Sequence, residues 1–344
     1  MSQSTVLTIE ALTLVVEEVF RAGGFSADHA AALGRVIVSG ERDGCKSHGV
    51  YRVEGCLRTL KMGKVVPDAI PVVTADDSAI VRVEAKGGFA NLAFEQGAPV
   101  LAERARALGL AAMVINDCSH FSALWPEIEI LTDQGLAAIA MCPSYATVAP
   151  TGGTEPLLGT NPLAFGWPRP GKNPYVFDFA TSVAARGEIE LYRRAGKPLP
   201  EGWALDANGQ PTTDPEAALA GAMLTFGGHK GSAISTMIEL LAGIMIGDMT
   251  SPEALEFLGV TTIAPRHGEL IIAFSPEKFA ANRGQNAFDR AEVLFEAIMG
   301  QGARLPSQRR FAARAEALTN GITLTAEEMA QLERLRTEGL AAVS

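Results

Sequence analysis

The stretch Ala111-Ala-Met-Val-Ile-Asn116, carried on after two residues into Ser119-His120-Phe-Ser-Ala-Leu124, decides the fold class. Its first six residues are an apolar run of strand length, and a polar cluster follows directly. A buried strand that ends in polar residues is where α/β proteins place ligands. Yet no Gly-x-Gly-x-x-Gly follows a strand in this chain, and no Gly-x-x-x-x-Gly-Lys-Ser/Thr occurs. The sequence therefore predicts an α/β protein that is neither an ordinary Rossmann protein nor a P-loop protein.

Outward from that stretch, Ala79–Glu84, Leu136–Cys142, Tyr175–Phe179 and Glu269–Phe274 are further runs of strand length. A helix is expected over Asn91–Leu108, although Gly97 and Pro99 weaken its continuity. Another is expected over about Lys230–Ile246, behind a Gly-, Pro-, Asp- and Asn-rich stretch, Gly196–Asp214, that reads as a long surface excursion. Toward the N-terminus, Leu12, Val15, Val16, Val19 and Phe20 recur at helical spacing within Ile9–Phe20, and Gly23-Gly24 stops that helix. Ser26 caps a second helix that carries Leu33, Val36 and Ile37. A third is expected from near Ser47 through Leu60, and Val65–Val73, with Pro67 and Pro71, reads as a linker. Toward the C-terminus, Asn282–Met299 and Ser307–Leu318 have helical periodicity, and Thr325-Ala-Glu-Glu328 is a capping box for a last helix to about Arg336. The expected architecture is α/β (α+β). A helical part built from both ends of the chain, residues 1–78 and 284–344, clasps an α/β part over residues 79–283.

Composition removes several function classes. The chain has 344 residues, enough for two or three domains. Apolar residues at 47% and charged residues at 20% place it among globular proteins rather than disordered ones. A net charge of -10 argues against a nucleic-acid partner, which demands a dense basic surface. Cys45, Cys56, Cys118 and Cys142 lack metal-ligand spacing and read as reduced thiols of a cytoplasmic protein. His29, His48, His120, His229 and His267 also lack ligand spacing, so no metal is expected. Met1–Thr8 has no basic segment ahead of an apolar run, and Met237–Met245 is short and interrupted by Glu239. Neither a signal peptide nor a membrane span is expected.

Four constellations can carry chemistry. In Ser47-His48-Gly49-Val-Tyr-Arg52, a helix capped by Ser47 puts His48 and Arg52 four apart on one face. That pairs a proton-exchanging group with a fixed cation suited to a carboxylate, as a 2-oxo, 2-hydroxy or 2-imino acid requires. The same residues also read as a helix-start histidine and a solvated arginine. Ser119–Leu124 reads either as a ligand-binding strand end or as a loop whose histidine is satisfied by backbone. Phe226-Gly-Gly-His229-Lys230-Gly231-Ser232 opens an apolar helix and fits a phosphate cradle or a plain glycine turn. Arg304-Leu-Pro-Ser307-Gln-Arg309-Arg310 fits a phosphate clamp or a solvated charge run. Pro156–Pro162 and Phe177–Ser182 are polar stretches beside apolar strands and equally fit tight turns.

The order of these blocks carries more than any one of them. SHG with a following Arg52, then SHF at 119–121, LGTNP at 158–162, FDFATS at 177–182, FGGHKG at 226–231 and LPSQRR at 305–310 resembles the malate/L-lactate dehydrogenase family of NAD(P)-dependent oxidoreductases. The resemblance runs from about residue 8 to 336, and that family is not built on the Rossmann fold. SHFSALWP at 119–126, PLLGTNPLAF at 156–165 and FGGHKGSA at 226–233 are most similar to its Δ1-piperideine-2-carboxylate/Δ1-pyrroline-2-carboxylate reductases.

The resemblance implies a homodimer, a helical part formed from both termini, and a mixed-sheet domain that holds the cofactor and substrate, here 79–283. It implies NADPH as cofactor, with NADH less favoured, and a cyclic imino acid as the small-molecule partner. The product would be L-pipecolate or L-proline, compounds of lysine catabolism and proline metabolism. His48 becomes the proton donor, Ser47 its relay partner and Glu188 the acidic member, where the reductases are expected to carry Asp. Arg52, Thr160, Arg186 and Gly187 become substrate contacts, with Arg186 standing where His is expected. His120, Phe121, Ser122, Ala123, Leu124, Asp178, Phe179, Ala180, His229, Lys230, Arg304, Arg309 and Arg310 become cofactor contacts, Arg309 and Arg310 at the 2′-phosphate. A buried carboxylate beside His48 is expected to keep the ring protonated near pH 7. The alternatives are a 2-hydroxy-acid dehydrogenase acting on malate, lactate or ureidoglycolate, and a non-catalytic dinucleotide-binding protein.

Overall fold

The computed structural model describes residues 4–344. The expectation of no signal peptide in Met1–Thr8 falls partly on Met1–Gln3, which lie outside the described residues. Among the described residues no helix is long and apolar enough to cross a membrane.

The strands are β1 (Thr5–Leu7), β2 (Val72–Ala75), β3 (Ile80–Glu84), β4 (Leu110–Ser119), β5 (Ala137–Met141), β6 (Leu163–Trp167), β7 (Tyr175–Phe179), β8 (Ala204–Leu205), β9 (Pro211–Thr212), β10 (Ala222–Met223), β11 (Arg266–Phe274) and β12 (Ile322–Leu324). Seven form one sheet in the order β2-β3-β4-β11-β5-β6-β7. It is mixed: β2 and β3 pair antiparallel with Val72 opposite Glu84, while β3 and β4 pair parallel with Ile80 opposite Ala112. In β3 the alternation is satisfied as the sequence demands, with Val81 and Val83 buried and Arg82 and Glu84 exposed.

The chain divides into two compact units, one of residues 1–140, 164–177 and 271–344, the other of 141–163 and 178–270. These boundaries fall inside β5, β6, β7 and β11. The expected boundaries near 78 and 284 follow the change from helix to strand.

In the first unit the helix Ile9–Ala22 buries Leu12, Val16, Val19 and Phe20. Thr8 and Ser26 cap the first two helices by accepting from Ala11 N and His29 N. The two chain ends meet: β1 pairs antiparallel with β12, and Arg336 reaches Glu18 at 2.9 Å. The capping box at Thr325 and Glu328 opens the helix Ala326–Glu338. The helix Ala90–Leu108 runs unbroken through Pro99. Gly97 there lets β3 and β4 approach, since an added Cβ would press on Val83 and Met113.

In the second unit β10-β8-β9 form a small sheet over a core of Val148, Leu158, Ile189, Leu199 and Met223, with Tyr192 and Trp203 packed on it. The reading of Gly196–Asp214 as a surface excursion is corrected here. Leu199, Ala204 and Leu205 are buried, and two of the three strands lie within it. Two other expectations change. Val72 and Val73 belong to β2 rather than to a linker, because the backbone finds a partner in β3. The helix over Ser47–Leu60 exists only as Val53–Lys61. Ahead of it the chain makes two 3-10 turns, Lys46–His48 and Val50–Arg52.

Candidate active site

The cause of those two turns is Glu41. Its side chain is buried and accepts from Val50 N at 2.9 Å. An added Cβ on Gly49 would collide with the Glu41 carboxylate, so only glycine fits there. Lys46 pairs with Glu41 from the surface side. The backbone therefore folds back on itself between His48 and Arg52 instead of winding a regular helix. Within this bend Ser47 Oγ lies 3.1 Å from His48 Nδ1. Arg52 Nε donates to the carbonyl of the same Ser47 at 2.7 Å. The expected trio is thus brought together, but through Ser47 rather than along one helix face.

Burial pushes the His48 pKa down, and the Arg52 guanidinium pushes it further, to about 3. The ring is neutral at pH 7. This overturns the expectation of a histidine held protonated by a buried carboxylate. Glu188, the residue expected to do so, is exposed in the first turn of the helix Arg186–Arg194.

Trp125 packs edge-on to His48, with ring centroids 6.1 Å apart. Its Nε1 donates to Asp43 at 3.2 Å, and Arg310 stacks over its ring at 4.9 Å. Arg310 is buried, and its Nη1 donates to both Asp43 and Glu129. Arg314 also binds both carboxylates, and Arg42 pairs with Asp43 at 2.7 Å. Burial alone would raise the Asp43 carboxyl, but Arg314 and Arg42 outweigh it and hold it at about 2. The assignment of Arg310 to a cofactor phosphate is corrected by this arrangement. Its donors are taken up inside the fold, whereas Arg304 and Arg309 are exposed.

At the end of β4, His120, Phe121, Ser122, Ala123 and Leu124 are all buried. Ser122 Oγ lies 3.5 Å from His120 Nε2. Asn91 Nδ2 donates to the same Ser122 Oγ at 3.1 Å. Phe121 packs edge-on to Phe89, 5.5 Å between centroids. Asn91 is absent from the set read off the sequence. The available signal was a lone amide in the apolar run Phe89-Ala-Asn-Leu-Ala-Phe94 at a helix start.

In the second unit the carbonyl of Thr160 accepts from Thr181 N at 2.8 Å. Its neighbour Asn161, at φ +29°, is held by Ser235 Oγ at 3.0 Å and by Glu239 Oε1 at 2.7 Å. Ser251 binds that carboxylate too, so four side chains lock the turn that presents Thr160. Arg186 donates only to neutral acceptors, Thr261 Oγ1 at 3.0 Å and Leu219 O at 3.3 Å. Burial lowers its pKa, the mark of a guanidinium whose charge is poorly compensated. Gly187 follows it in the helix, and Asp178, Phe179 and Ala180 stand at the end of β7. His229 and Lys230 are exposed at the start of the helix His229–Glu239, which no side chain caps. Gly227 and Gly228 precede it at φ +56° and +60°. An uncapped helix start, a lysine and open space beside Gly228 fit a phosphate group. The buried polar end of β4, with its apolar surround, fits a flat heteroaromatic ring.

The sequence profile of the malate/L-lactate dehydrogenase family matches residues 7–333. A Δ1-pyrroline-2-carboxylate reductase of Agrobacterium fabrum is 72% identical over 345 residues, spanning 100% of both chains. A Δ1-pyrroline-2-carboxylate/Δ1-piperideine-2-carboxylate reductase of Pseudomonas aeruginosa is 52% identical over 92% of this chain and 95% of its own. Among solved structures, the Δ1-piperideine-2-carboxylate reductase of Pseudomonas syringae superposes with a TM-score of 0.92 at 40% identity, covering 96% of this chain and 99% of its own.

Proposed function

The chain belongs to the malate/L-lactate dehydrogenase family, and from that premise we propose that it reduces the C=N bond of cyclic imine carboxylates, Δ1-pyrroline-2-carboxylate and Δ1-piperideine-2-carboxylate, to L-proline and L-pipecolate. The observation that carries this reading is the double attachment at Ser47, whose hydroxyl meets His48 and whose carbonyl holds Arg52. It fixes a proton-exchanging ring and a carboxylate-binding fork in one bend, which is the pair a 2-imino acid needs.

Arg52 is the partner for the substrate carboxylate and orients the planar ring. A reduced nicotinamide, when bound, supplies the hydride to C2. His48 holds a proton for the imine nitrogen, where negative charge would otherwise build up. In the free protein His48 is neutral, and one of the two causes is Arg52. A substrate carboxylate seated on Arg52 offsets that smaller cause and leaves burial, the larger one, in place, so His48 regains part of its basicity as substrate arrives. Substrate binding and proton uptake are thereby linked. Ser47 fixes the ring through Nδ1, and Glu188, exposed in the free protein, is the proposed acidic end of the relay rather than a buried partner that holds His48 protonated. Thr160, Arg186 and Gly187 are the further substrate candidates. For the cofactor we propose His120–Leu124, Asp178–Ala180, His229 and Lys230, with exposed Arg304 and Arg309 selecting NADPH over NADH. A cytoplasmic homodimer is the proposed state.

One observation favours a second reading. His48 is unprotonated in the free protein, the state from which a hydroxyl proton is removed during 2-hydroxy-acid oxidation. The deciding experiment follows NADPH consumption by the purified protein. Δ1-pyrroline-2-carboxylate, Δ1-piperideine-2-carboxylate, pyruvate, oxaloacetate and glyoxylate are compared at equal concentration. Turnover concentrated on the two imines supports reduction of C=N. Faster turnover of an open-chain 2-oxo acid moves the assignment to a hydroxy-acid dehydrogenase.

A further inference from the structure

Asn91 has no task in the reading above. It stands in the first turn of the helix Ala90–Leu108 and is 3% exposed. One end of its amide is occupied, since Nδ2 donates to Ser122 Oγ at 3.1 Å. The other end is not: Oδ1 is buried and has no hydrogen-bond partner among the described residues. A buried carbonyl oxygen without a donor is costly and rare.

The chemistry of what completes it is restricted. Oδ1 accepts, so the missing atom carries a hydrogen. Oδ1 is itself out of contact with solvent, so the group that reaches it must be buried when bound. Phe89 just ahead of the helix, Leu92 in it, and Phe121 and Ala123 flanking Ser122 are all buried. An apolar, aromatic surround with one waiting acceptor suits a flat ring bearing an amide. It suits a ribose or a phosphate poorly. Ser122 ties Asn91 to His120, so the acceptor is also held in place.

We propose that Asn91 is a cofactor-binding residue whose Oδ1 accepts an N–H from the carboxamide of the bound nicotinamide, while Nδ2 stays on Ser122. The inference rests on the nicotinamide-dependent reading of the protein. A hydrogen bond at the carboxamide limits rotation of the ring, and so helps choose which face is turned to the substrate.

The test is equilibrium binding without imine, followed by calorimetry or intrinsic fluorescence. NADP+ is compared with its 3-acetylpyridine analogue, in which a methyl group replaces the amide nitrogen. The wild-type protein should bind NADP+ about tenfold more tightly than the analogue, the worth of one buried hydrogen bond. In Asn91→Leu that ratio should fall to about 1. Asn91→Asp, nearly identical in shape, keeps an acceptor and should keep the preference; it serves where the leucine variant fails to fold. Ser122→Ala frees the Asn91 amide and should lower the ratio part of the way toward 1. A wild-type ratio near 1 overturns the proposal, as does an unchanged ratio in a folded Asn91→Leu protein. Failure of the wild-type protein to bind either dinucleotide overturns the nicotinamide reading itself.

Discussion

His48 and Arg310 have opposite fates as single residues. His48 is a weak base because burial and Arg52 both disfavour its charge. Replacing it with alanine is expected to lower kcat about 10²- to 10⁴-fold while leaving the NADPH dissociation constant nearly unchanged. Equal turnover in that variant removes His48 as the acid. The link to Arg52 has its own signature. A planar ring carboxylate such as pyrrole-2-carboxylate should bind with uptake of protons, measured by calorimetry in buffers of different ionisation enthalpy. The reduction rate should fall as pH rises through the raised His48 pKa of the complex. Proton release on binding would contradict the link. Arg310 and its neighbour Arg309 separate two roles that look alike in sequence. Arg309→Ala should erode the NADPH/NADH preference. Arg310→Ala should leave that preference alone and cost about 3–5 kcal/mol in urea unfolding, because Asp43 and Glu129 lose a buried partner.

At the scale of elements, the bend Lys46–Arg52 depends on a residue in another helix. Glu41, in the helix Ala27–Arg42, holds Val50 N, and Gly49 makes room for it. Glu41→Ala leaves that buried N–H unpaired, an expected loss of about 1–3 kcal/mol. It also releases the geometry of Ser47, His48 and Arg52, so kcat/KM should drop roughly ten- to a hundredfold. A variant that lost stability but kept kcat/KM would show that the bend is held by other contacts. The turn at Thr160 has the same logic. Asn161 at positive φ is kept by Ser235, Glu239 and Ser251. In both places a polar side chain from a neighbouring element secures a short segment that carries a candidate substrate contact.

Over the whole molecule, buried histidines set the acid limit of stability. Burial lowers His29, and it lowers His267 to about 4. An unfolded imidazole takes up its proton near pH 6.5. The folded His267 does not until about pH 4, so between these values the unfolded state binds more protons. Stability is therefore full above pH 6.5 and falls as pH drops toward 4, by about 1.4 kcal/mol per pH unit for this ring. Urea midpoints at pH 7.5, 6 and 5 should fall in that order, and His267→Gln should flatten the trend. A midpoint that rose toward pH 5 would reverse the sign and reject the assignment. The α/β class, the absence of a Rossmann fingerprint, five strands of the seven-stranded sheet and the caps at Ser26 and Thr325 were legible in the amino-acid order alone. These depend on local periodicity and on side chains that reach only three or four residues. The candidate block Ser47, His48 and Arg52 was legible too, because its three residues meet within one bend. Folding in three dimensions was needed to show that the bend is not a helix, that Arg310 is spent on Asp43 and Glu129, and that His48 is neutral. It also placed Asn91 behind Ser122. The fates of Arg310 and Asn91 depend on partners tens or hundreds of residues away, and those of the bend and of His48 on burial, which is not written in the local pattern of a chain.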